Sequence, residues 1–164
     1  MAVAGSNRHG DTNPPAPRGR GANGRQGSAH HLTFTIPSEL SAGRKVQQQI
    51  LEAIEQKGFH GHNFFAINLA LEEALTNAIK HGNRLDPHKK VHVEAKVSAR
   101  RAEIIIEDEG PGFDRSNVPD PTAQENLEKC SGRGILLIES YMNRVIWDRG
   151  GRRVRMVKTN KKTQ

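Results

Sequence analysis

Two strand patterns joined by a short turn lie near the middle of the chain, and they restrict its possible folds more than any other feature. Residues 91–97 alternate apolar and polar, which is typical of a strand with one buried face. Residues 99–101 turn the chain, and residues 102–107 return as a second strand around three consecutive isoleucines. Neighbouring strands joined by so short a turn pair antiparallel, so the sequence predicts an antiparallel hairpin in the core.

A strand and two helices are predicted before this hairpin. Residues 31–37 alternate as a half-buried strand that ends at Pro37. A helix with apolar residues at i, i+4 spacing follows; Ser38 is its expected N-cap and Gly58 its stop. A second amphipathic helix is predicted over residues 63–81.

The patterns after the hairpin complete the domain. Residues 113–131 are long, polar and poorly periodic, as in a lid or a binding loop. A helix is predicted over 134–142, and strands over 144–149 and 152–158 surround the glycine pair 150–151. The order β-α-α-β-β-loop-α-β-β predicts an α+β two-layer sandwich, with a mixed, mostly antiparallel sheet covered on one face by about three helices.

Composition divides the 164 residues into three parts. Residues 1–30 are rich in Gly, Pro and Arg and nearly lack large apolar side chains, so a disordered tail is predicted there. Residues 31–160 form the predicted folded domain, a size sufficient for one core. Residues 161–164 are a short basic tail.

The formal net charge of +7 is concentrated at the two ends. Residues 1–30 carry +3 and residues 149–164 carry +7, which leaves −3 for the body between them. Basic ends of this kind can contact nucleic acid. However, no aromatic side chains are interleaved with these cations to stack bases. Solvated surface charge is therefore favoured, and a nucleic-acid partner is not expected.

Cysteine usage and hydropathy indicate the compartment. Cys130 is the only cysteine, so no disulfide can form within the chain, which fits a reducing environment. No apolar run approaches the roughly 20 residues that span a bilayer, and the first residues lack the apolar core of a secretory signal. We expect a soluble, cytoplasmic protein with no membrane partner.

The first motif with chemical potential is Glu73-Ala-Leu-Thr-Asn77, in the second predicted helix. Glu73 and Asn77 are one turn apart, so they project side by side and away from the apolar stripe. An Asn oxygen suits Mg²⁺, and a carboxylate beside it could orient a hydroxyl or a water for attack on phosphate. Alone the pair is a weak signal, since an ordinary polar helix face looks the same. Glu72, about 100° around the helix, is expected to face solvent.

The second motif, Asp108-Glu-Gly-Pro-Gly112, directly follows the isoleucine strand. Gly110 and Gly112 would let the backbone approach a ligand closely. Asp108, at the end of a buried strand, could accept a hydrogen bond from an exocyclic amine. The alternative is an ordinary turn, for which Gly and Pro are the usual residues.

The third motif, Ser131-Gly-Arg-Gly134, precedes a predicted helix. Gly132 and Gly134 would leave backbone N–H groups and the positive end of the helix dipole open to a phosphate, and Arg133 could add charge-assisted contacts. The motif lacks the Gly-Lys-Ser/Thr of a phosphate loop. A plain loop-to-helix junction is the alternative.

Together, in this order, the three motifs resemble the ATPase superfamily shared by DNA gyrase, the Hsp90 chaperones, histidine kinases and MutL. Within it, residues 73–78 (Glu-Ala-Leu-Thr-Asn-Ala) followed by His81-Gly82-Asn83 resemble the bacterial anti-sigma factor serine/threonine kinases. The resemblance covers about residues 32–158 and implies the histidine-kinase-like ATPase fold. It also implies ATP and Mg²⁺ as cofactors.

The resemblance assigns a role to each motif. Asn77 would coordinate Mg²⁺, and Glu73 would be the general base. Asp108 would bind the adenine amine in a pocket shaped by Gly110 and Gly112. Residues 113–131 would be the ATP lid, and the phosphates would lie against Ser131, Gly132, Arg133 and Gly134.

By the same resemblance, His81-Gly82-Asn83 would lie near the nucleotide, in contact with the phosphates or the lid. A histidine favoured by the dipole at a helix C-terminus, followed by a Gly stop, explains the pattern equally well. His60, His62 and His81 all lie inside the predicted domain, whereas histidine kinases carry their phosphorylated His on a preceding helical segment. Autophosphorylation on His is therefore not expected. We also recognise no second domain of the kind found in gyrase or the chaperones.

The implied function is an ATP-dependent protein serine/threonine kinase that acts as an anti-sigma factor. It would phosphorylate an anti-sigma factor antagonist on Ser or Thr and sequester a sigma factor, and a homodimer is compatible with the resemblance. The alternative is a binding module of the same fold that uses ATP occupancy as a switch for a partner, without significant phosphotransfer. Glu73 disfavours this alternative, because a pure binder does not need a base.

Overall fold

The computed structural model describes residues 28–113 and 130–161. Most of the predicted N-terminal tail, the predicted lid between Phe113 and Cys130, and residues 162–164 lie outside this part of the chain. The elements follow the predicted order: β1 (His30–Pro37), α1 (Leu40–Gln56), α2 (Gly61–Thr76), a π-helical segment (Asn77–Gly82), β2 (Lys90–Val97), β3 (Arg101–Asp108), α3 (Cys130–Tyr141), β4 (Arg144–Asp148) and β5 (Arg153–Thr159).

The five strands form one sheet in the order β1-β2-β3-β5-β4, and all four described pairs are antiparallel. The predicted two-layer α+β sandwich is confirmed, with an antiparallel sheet wherever strands are described. β3 lies in the centre, and Ile104 is paired with Ala95 on one side and with Met156 on the other. The central position of β3 places the loop that follows it at the middle of one end of the sheet.

The hydrophobic core lies between one face of the sheet and the helices. Sheet residues such as Val93, Ile104 and Met156 are at most 1% exposed, as are Ile50 of α1 and Leu71 of α2. Alternation predicts this burial, because every second strand residue faces the helices. Removal of these apolar surfaces from water is the main contribution to the stability of the fold.

The start of α1 differs from the prediction. The helix begins at Leu40 with Glu39 at the N-cap position and no side-chain capping bond, so the assignment of Ser38 as N-cap is wrong. Ser38 is only 3% exposed, and its hydroxyl donates to the carbonyl of Lys89 at 2.8 Å. The Ser38 hydroxyl thus bonds to a residue distant in the chain and not to the start of the helix, and a local sequence pattern carries no information about such a partner.

Two other helices differ at their ends. The second predicted helix starts at Gly61 and becomes π-helical at Asn77, whereas an unbroken helix to His81 was expected. α3 begins at Cys130, four residues before the predicted start at Gly134. In the described part of the chain, no helix has the length and apolar character needed to cross a bilayer.

Candidate functional site

The change from α- to π-helix at Asn77 shapes the candidate site. The backbone N–H of Asn77 bonds to the carbonyl of Glu73, so the two side chains keep their one-turn spacing. From there to Gly82 the backbone follows the wider π geometry, and the segment contacts both β3 and α3. Single π turns within helices occur frequently at functional sites. Periodicity at 3.6 residues carries no signal for such a turn.

Glu73, Asn77 and Gly134 come together on one side of this segment. A Cβ atom placed on Gly134 would lie 2.6 Å from Oε2 of Glu73 and 3.4 Å from Nδ2 of Asn77. The start of α3 therefore packs directly on the predicted base and the predicted metal ligand. Gly134 is far from both Glu73 and Asn77 in the chain, and its position against them supports the predicted site.

The amide of Asn77 contains an unsatisfied polar atom. Its Nδ2 is buried and has no hydrogen-bond partner among the described residues. Buried polar atoms normally have partners, so an exception needs an explanation such as a missing ligand. Because a 180° rotation exchanges the amide nitrogen and oxygen, this position can present either atom. Asn77 is thus able to act as the neutral oxygen ligand that the resemblance implies.

Asp108, Gly82 and Gly110 form a second tight cluster. A Cβ atom on Gly82 would lie 2.5 Å from Oδ2 of Asp108, and one on Gly110 would lie 2.1 Å from the carbonyl oxygen of Gly82. The contact at Gly110 is with backbone, so packing requires glycine there, and a side chain at Gly82 would displace the Asp108 carboxylate. The sequence pattern identified Gly110 as a close-approach residue, whereas for Gly82 it offered either a helix stop or, by the resemblance, a place near the nucleotide.

The Asp108 carboxylate is only 8% exposed. Its Oδ1 accepts the backbone N–H of Gly110 at 2.8 Å, and its Oδ2 accepts no hydrogen bond within the described chain. Burial raises the pKa of Asp108 above its ordinary value, although the N–H of Gly110 and the charge of Arg152 act in the opposite direction. One carboxylate oxygen therefore remains available to a donor such as an exocyclic amine.

Gly112 lies apart from these two clusters. Its φ is +79°, and a Cβ atom on it would lie 2.0 Å from the carbonyl oxygen of Gly150 in the turn between β4 and β5. Phe113, the next residue, donates its N–H to the same carbonyl at 2.9 Å. The hairpin turn alone explains why glycine stands here, and a contact of Gly112 with a ligand stays a prediction.

The third motif lies within the first turn of α3, not before the helix. The first four N–H groups of a helix have no partner inside it, so the N–H groups at the start of α3 are candidates for a phosphate. Arg133 is exposed, and the side chain of Ser131 lies outside the described part. His81 is exposed, and its side chain makes no hydrogen bond or ion pair with another described residue.

The donor set fits a nucleotide-bound magnesium ion better than a metal held by protein alone. The described residues contain no group of three or more His, Cys, Asp and Glu side chains able to hold a metal. Mg²⁺ commonly takes only one or two ligands from the protein and completes its shell with phosphate oxygens and water. A single amide beside a carboxylate, as in Asn77 and Glu73, fits this mode of Mg²⁺ coordination.

A family model for the histidine kinase-like ATPase domain matches residues 36–158, and the chain belongs to this family. Curated relatives define the branch. The anti-sigma F factor of Geobacillus thermodenitrificans is 32% identical over 119 residues, which cover 71% of this chain and 80% of the relative. The chain is therefore a member of the anti-sigma factor kinase branch of this ATPase superfamily.

Two other relatives extend the comparison. The anti-sigma F factor of Oceanobacillus iheyensis is 39% identical over 82 residues, which cover 48% of this chain and 56% of the relative. The match with that relative therefore spans little more than half of its length. The serine-protein kinase RsbW of Bacillus subtilis is 24% identical over 124 residues, which cover 72% of this chain and 78% of the relative.

A solved structure supports the fold. The RsbU and RsbW domains of a Mycobacterium tuberculosis protein match with a TM-score of 0.51 at 15% identity, over 80% of this chain and 32% of that one. At this identity the likeness concerns the fold alone.

Proposed function

We propose that this chain is an ATP-dependent protein serine/threonine kinase that acts as an anti-sigma factor. It would phosphorylate an anti-sigma factor antagonist on Ser or Thr, bind a sigma factor and work in the cytoplasm. The observation that carries the proposal is the close approach of Gly134 to Glu73 and Asn77, because it brings the predicted base, the predicted metal ligand and a helix start together. The relatives named anti-sigma F factor and serine-protein kinase support the same function.

In the proposed reaction, Glu73 accepts the proton of the acceptor hydroxyl. The hydroxyl oxygen bonds to the γ-phosphorus as the bond to the β-phosphate oxygen breaks, and ADP leaves. Glu73 is positioned for this because its carboxylate lies against Gly134, beside the N–H groups at the start of α3 that would hold the phosphates.

Two other groups orient the nucleotide in this proposal. The unsatisfied amide of Asn77 would hold Mg²⁺, which when bound neutralises charge on the phosphates. The free Oδ2 of Asp108 would accept the adenine amine. Because Gly82 and Gly110 pack tightly around it, this carboxylate has little freedom to turn away.

Incubation of the full chain with labelled ATP, Mg²⁺ and a candidate antagonist tests the kinase. We expect label on a Ser or Thr of the antagonist and capture of a sigma factor by the same chain.

Asn77→Ala should abolish both nucleotide binding and transfer. Nucleotide-dependent sigma binding without phosphorylated antagonist would instead support the ATP switch, and absence of ATP binding would contradict both functions.

Gly134→Ala should reduce phosphotransfer without weakening the fold. The added methyl group would overlap Oε2 of Glu73, so the carboxylate must move. A misplacement of about 1 Å can lower a rate about 100-fold. Ala is also about 1 kcal/mol better than Gly inside a helix, so the melting temperature should not fall. Single-turnover transfer and thermal unfolding measure the two effects.

The matched control for this variant is Ser140→Ala, an exposed position on the same helix. Its hydroxyl donates to the carbonyl of Leu136 within α3 at 2.7 Å. The control should transfer phosphate at the unchanged rate. An unchanged rate in Gly134→Ala would show that the contact with Glu73 does not matter for transfer.

A further inference from the structure

Asn83 is a buried polar side chain that the proposed reaction does not use. It directly follows the π-helical segment and is 0% exposed. Its Nδ2 donates to the hydroxyl of Ser38 at 2.9 Å and to the carbonyl of Lys90 at 2.8 Å. Its Oδ1 accepts the backbone N–H of Glu109 at 2.8 Å. Both N–H groups and the oxygen of the carboxamide are therefore engaged.

The bond to Glu109 reaches the candidate site. Glu109 stands between Asp108, the predicted adenine ligand, and Gly110, which donates to the Asp108 carboxylate. The Glu109 side chain also accepts the backbone N–H of Lys90 at 2.7 Å. The loop after β3 is thus held at its backbone by Asn83 and at its side chain by the start of β2.

The neighbour of Asn83 touches the same loop. The carbonyl oxygen of Gly82 lies so close to Gly110 that a Cβ atom there would be 2.1 Å away, and Gly82 itself packs on the Asp108 carboxylate. A shift of the loop would therefore move that carboxylate. The amide of Asn77, at the other end of the π-helical segment, is by contrast unsatisfied. Asn77 therefore has a polar atom available to a ligand, whereas the carboxamide of Asn83 makes all its hydrogen bonds within the protein.

We propose that Asn83 is a positioning residue for the adenine end of the site. Its carboxamide holds residues 108–110 against Gly82 and thereby sets the direction of the free oxygen of Asp108. At 0% exposure Asn83 cannot itself touch the nucleotide. The inference rests on the proposed ATP site. It gives Asn83 an indirect role at the adenine end, whereas the resemblance suggested a contact of its motif with the phosphates or the lid.

The affinities for two ligands distinguish this positioning role of Asn83 from a purely structural one. If Asn83 acts through Asp108, its loss should weaken recognition of adenine and spare recognition of phosphate. Inorganic tripolyphosphate with Mg²⁺ probes the phosphate end alone, and ATP with Mg²⁺ probes both ends. General loosening of the fold would weaken both ligands or would change only the melting temperature.

Calorimetric titration of the full chain with the two ligands is the test. In Asn83→Ala we expect about tenfold or greater loss of ATP affinity, because residues 108–110 lose the bond that sets the direction of the Asp108 carboxylate. The tripolyphosphate affinity should be unchanged. Asn160→Ala is the matched control. Its carboxamide also bridges loops, to the carbonyls of Gly58 at 3.0 Å and Ala99 at 3.2 Å, but at the opposite end of the β2–β3 hairpin. It should bind ATP normally.

Asn83→Asp provides a second variant in case Asn83→Ala does not fold. It keeps an acceptor for the N–H of Glu109 and loses the two donors, so its ATP affinity should lie between those of the unchanged chain and Asn83→Ala. Equal losses for both ligands, or an unchanged ATP affinity in either folded variant, would overturn this inference alone. Failure of the unchanged chain to bind ATP would overturn the proposed function and the inference with it.

Discussion

Glu73→Gln should lower phosphotransfer to the antagonist by about 10²–10⁴-fold, the usual contribution of a positioned general base. The amide keeps the size of the carboxylate but cannot accept the hydroxyl proton. Asn77 and Asp108 are unchanged in this variant, so its ATP affinity should stay close to that of the unchanged chain. Single-turnover transfer under saturating ATP, together with a binding titration, separates the two quantities.

Glu72→Gln is the control that the chain itself offers. Glu72 precedes Glu73 directly, has the same charge, points about 100° away around the helix and is exposed. Its replacement should leave the transfer rate unchanged. If Glu73→Gln transferred phosphate as fast as Glu72→Gln, Glu73 would not be the base, and the ATP-switch function would become the better proposal.

Asp108→Asn should weaken ATP binding by about 10–100-fold. Oδ1 of Asp108 accepts the N–H of Gly110 at 2.8 Å, so the asparagine must place its oxygen there. Its NH₂ group then occupies the position of the free Oδ2 and meets the adenine amine as a second donor. Glu103→Gln, at the other end of β3, loses the same charge and should bind ATP normally.

The same substitution should not destabilise the fold at neutral pH. Burial raises the pKa of Asp108, so the folded state holds the proton more tightly than the unfolded state does. The stability that this gives is present at low pH and is lost as pH rises through the raised pKa. At neutral pH the ionised carboxylate therefore carries a cost that Asn removes, and Asp108→Asn should melt at an equal or higher temperature than the unchanged chain.

The pH dependence of binding gives an independent check on this pKa. ATP binding to the unchanged chain should weaken as pH falls through the raised pKa of Asp108, because the protonated group no longer offers two acceptor oxygens. The decline should begin at a higher pH than an ordinary aspartate would give. Asp108→Asn should lack this decline, and a clear loss of its melting temperature at neutral pH would contradict the burial argument.

Alternation and helical spacing were enough to predict the order of the elements and the layer architecture. These patterns work because every second strand residue and every third or fourth helix residue must face the core, whatever the tertiary details. The alternation of β2 and the stripe of α1 are examples. The three motifs were also visible, since glycine pairs and a Glu–Asn pair at one-turn spacing are local features.

Tertiary structure decided the details that depend on partners distant in the chain. Ser38 does not cap α1, because its hydroxyl donates instead to the carbonyl of Lys89, which is distant in the chain. The π geometry after Asn77 brings Gly82 against Asp108, and no 3.6-residue pattern could indicate it. Gly112, read as part of a ligand pocket, packs on the turn at Gly150.

Local periodicity is therefore sufficient to predict the sandwich and the one-turn pairing of Glu73 with Asn77, and the glycine motifs are visible as short local patterns. The position of Gly134 against this pair and the bond from Asn83 to the Asp108 loop are visible only in the folded chain. Contacts of this kind depend on close packing between segments far apart in the chain, and periodicity carries no information about such distances.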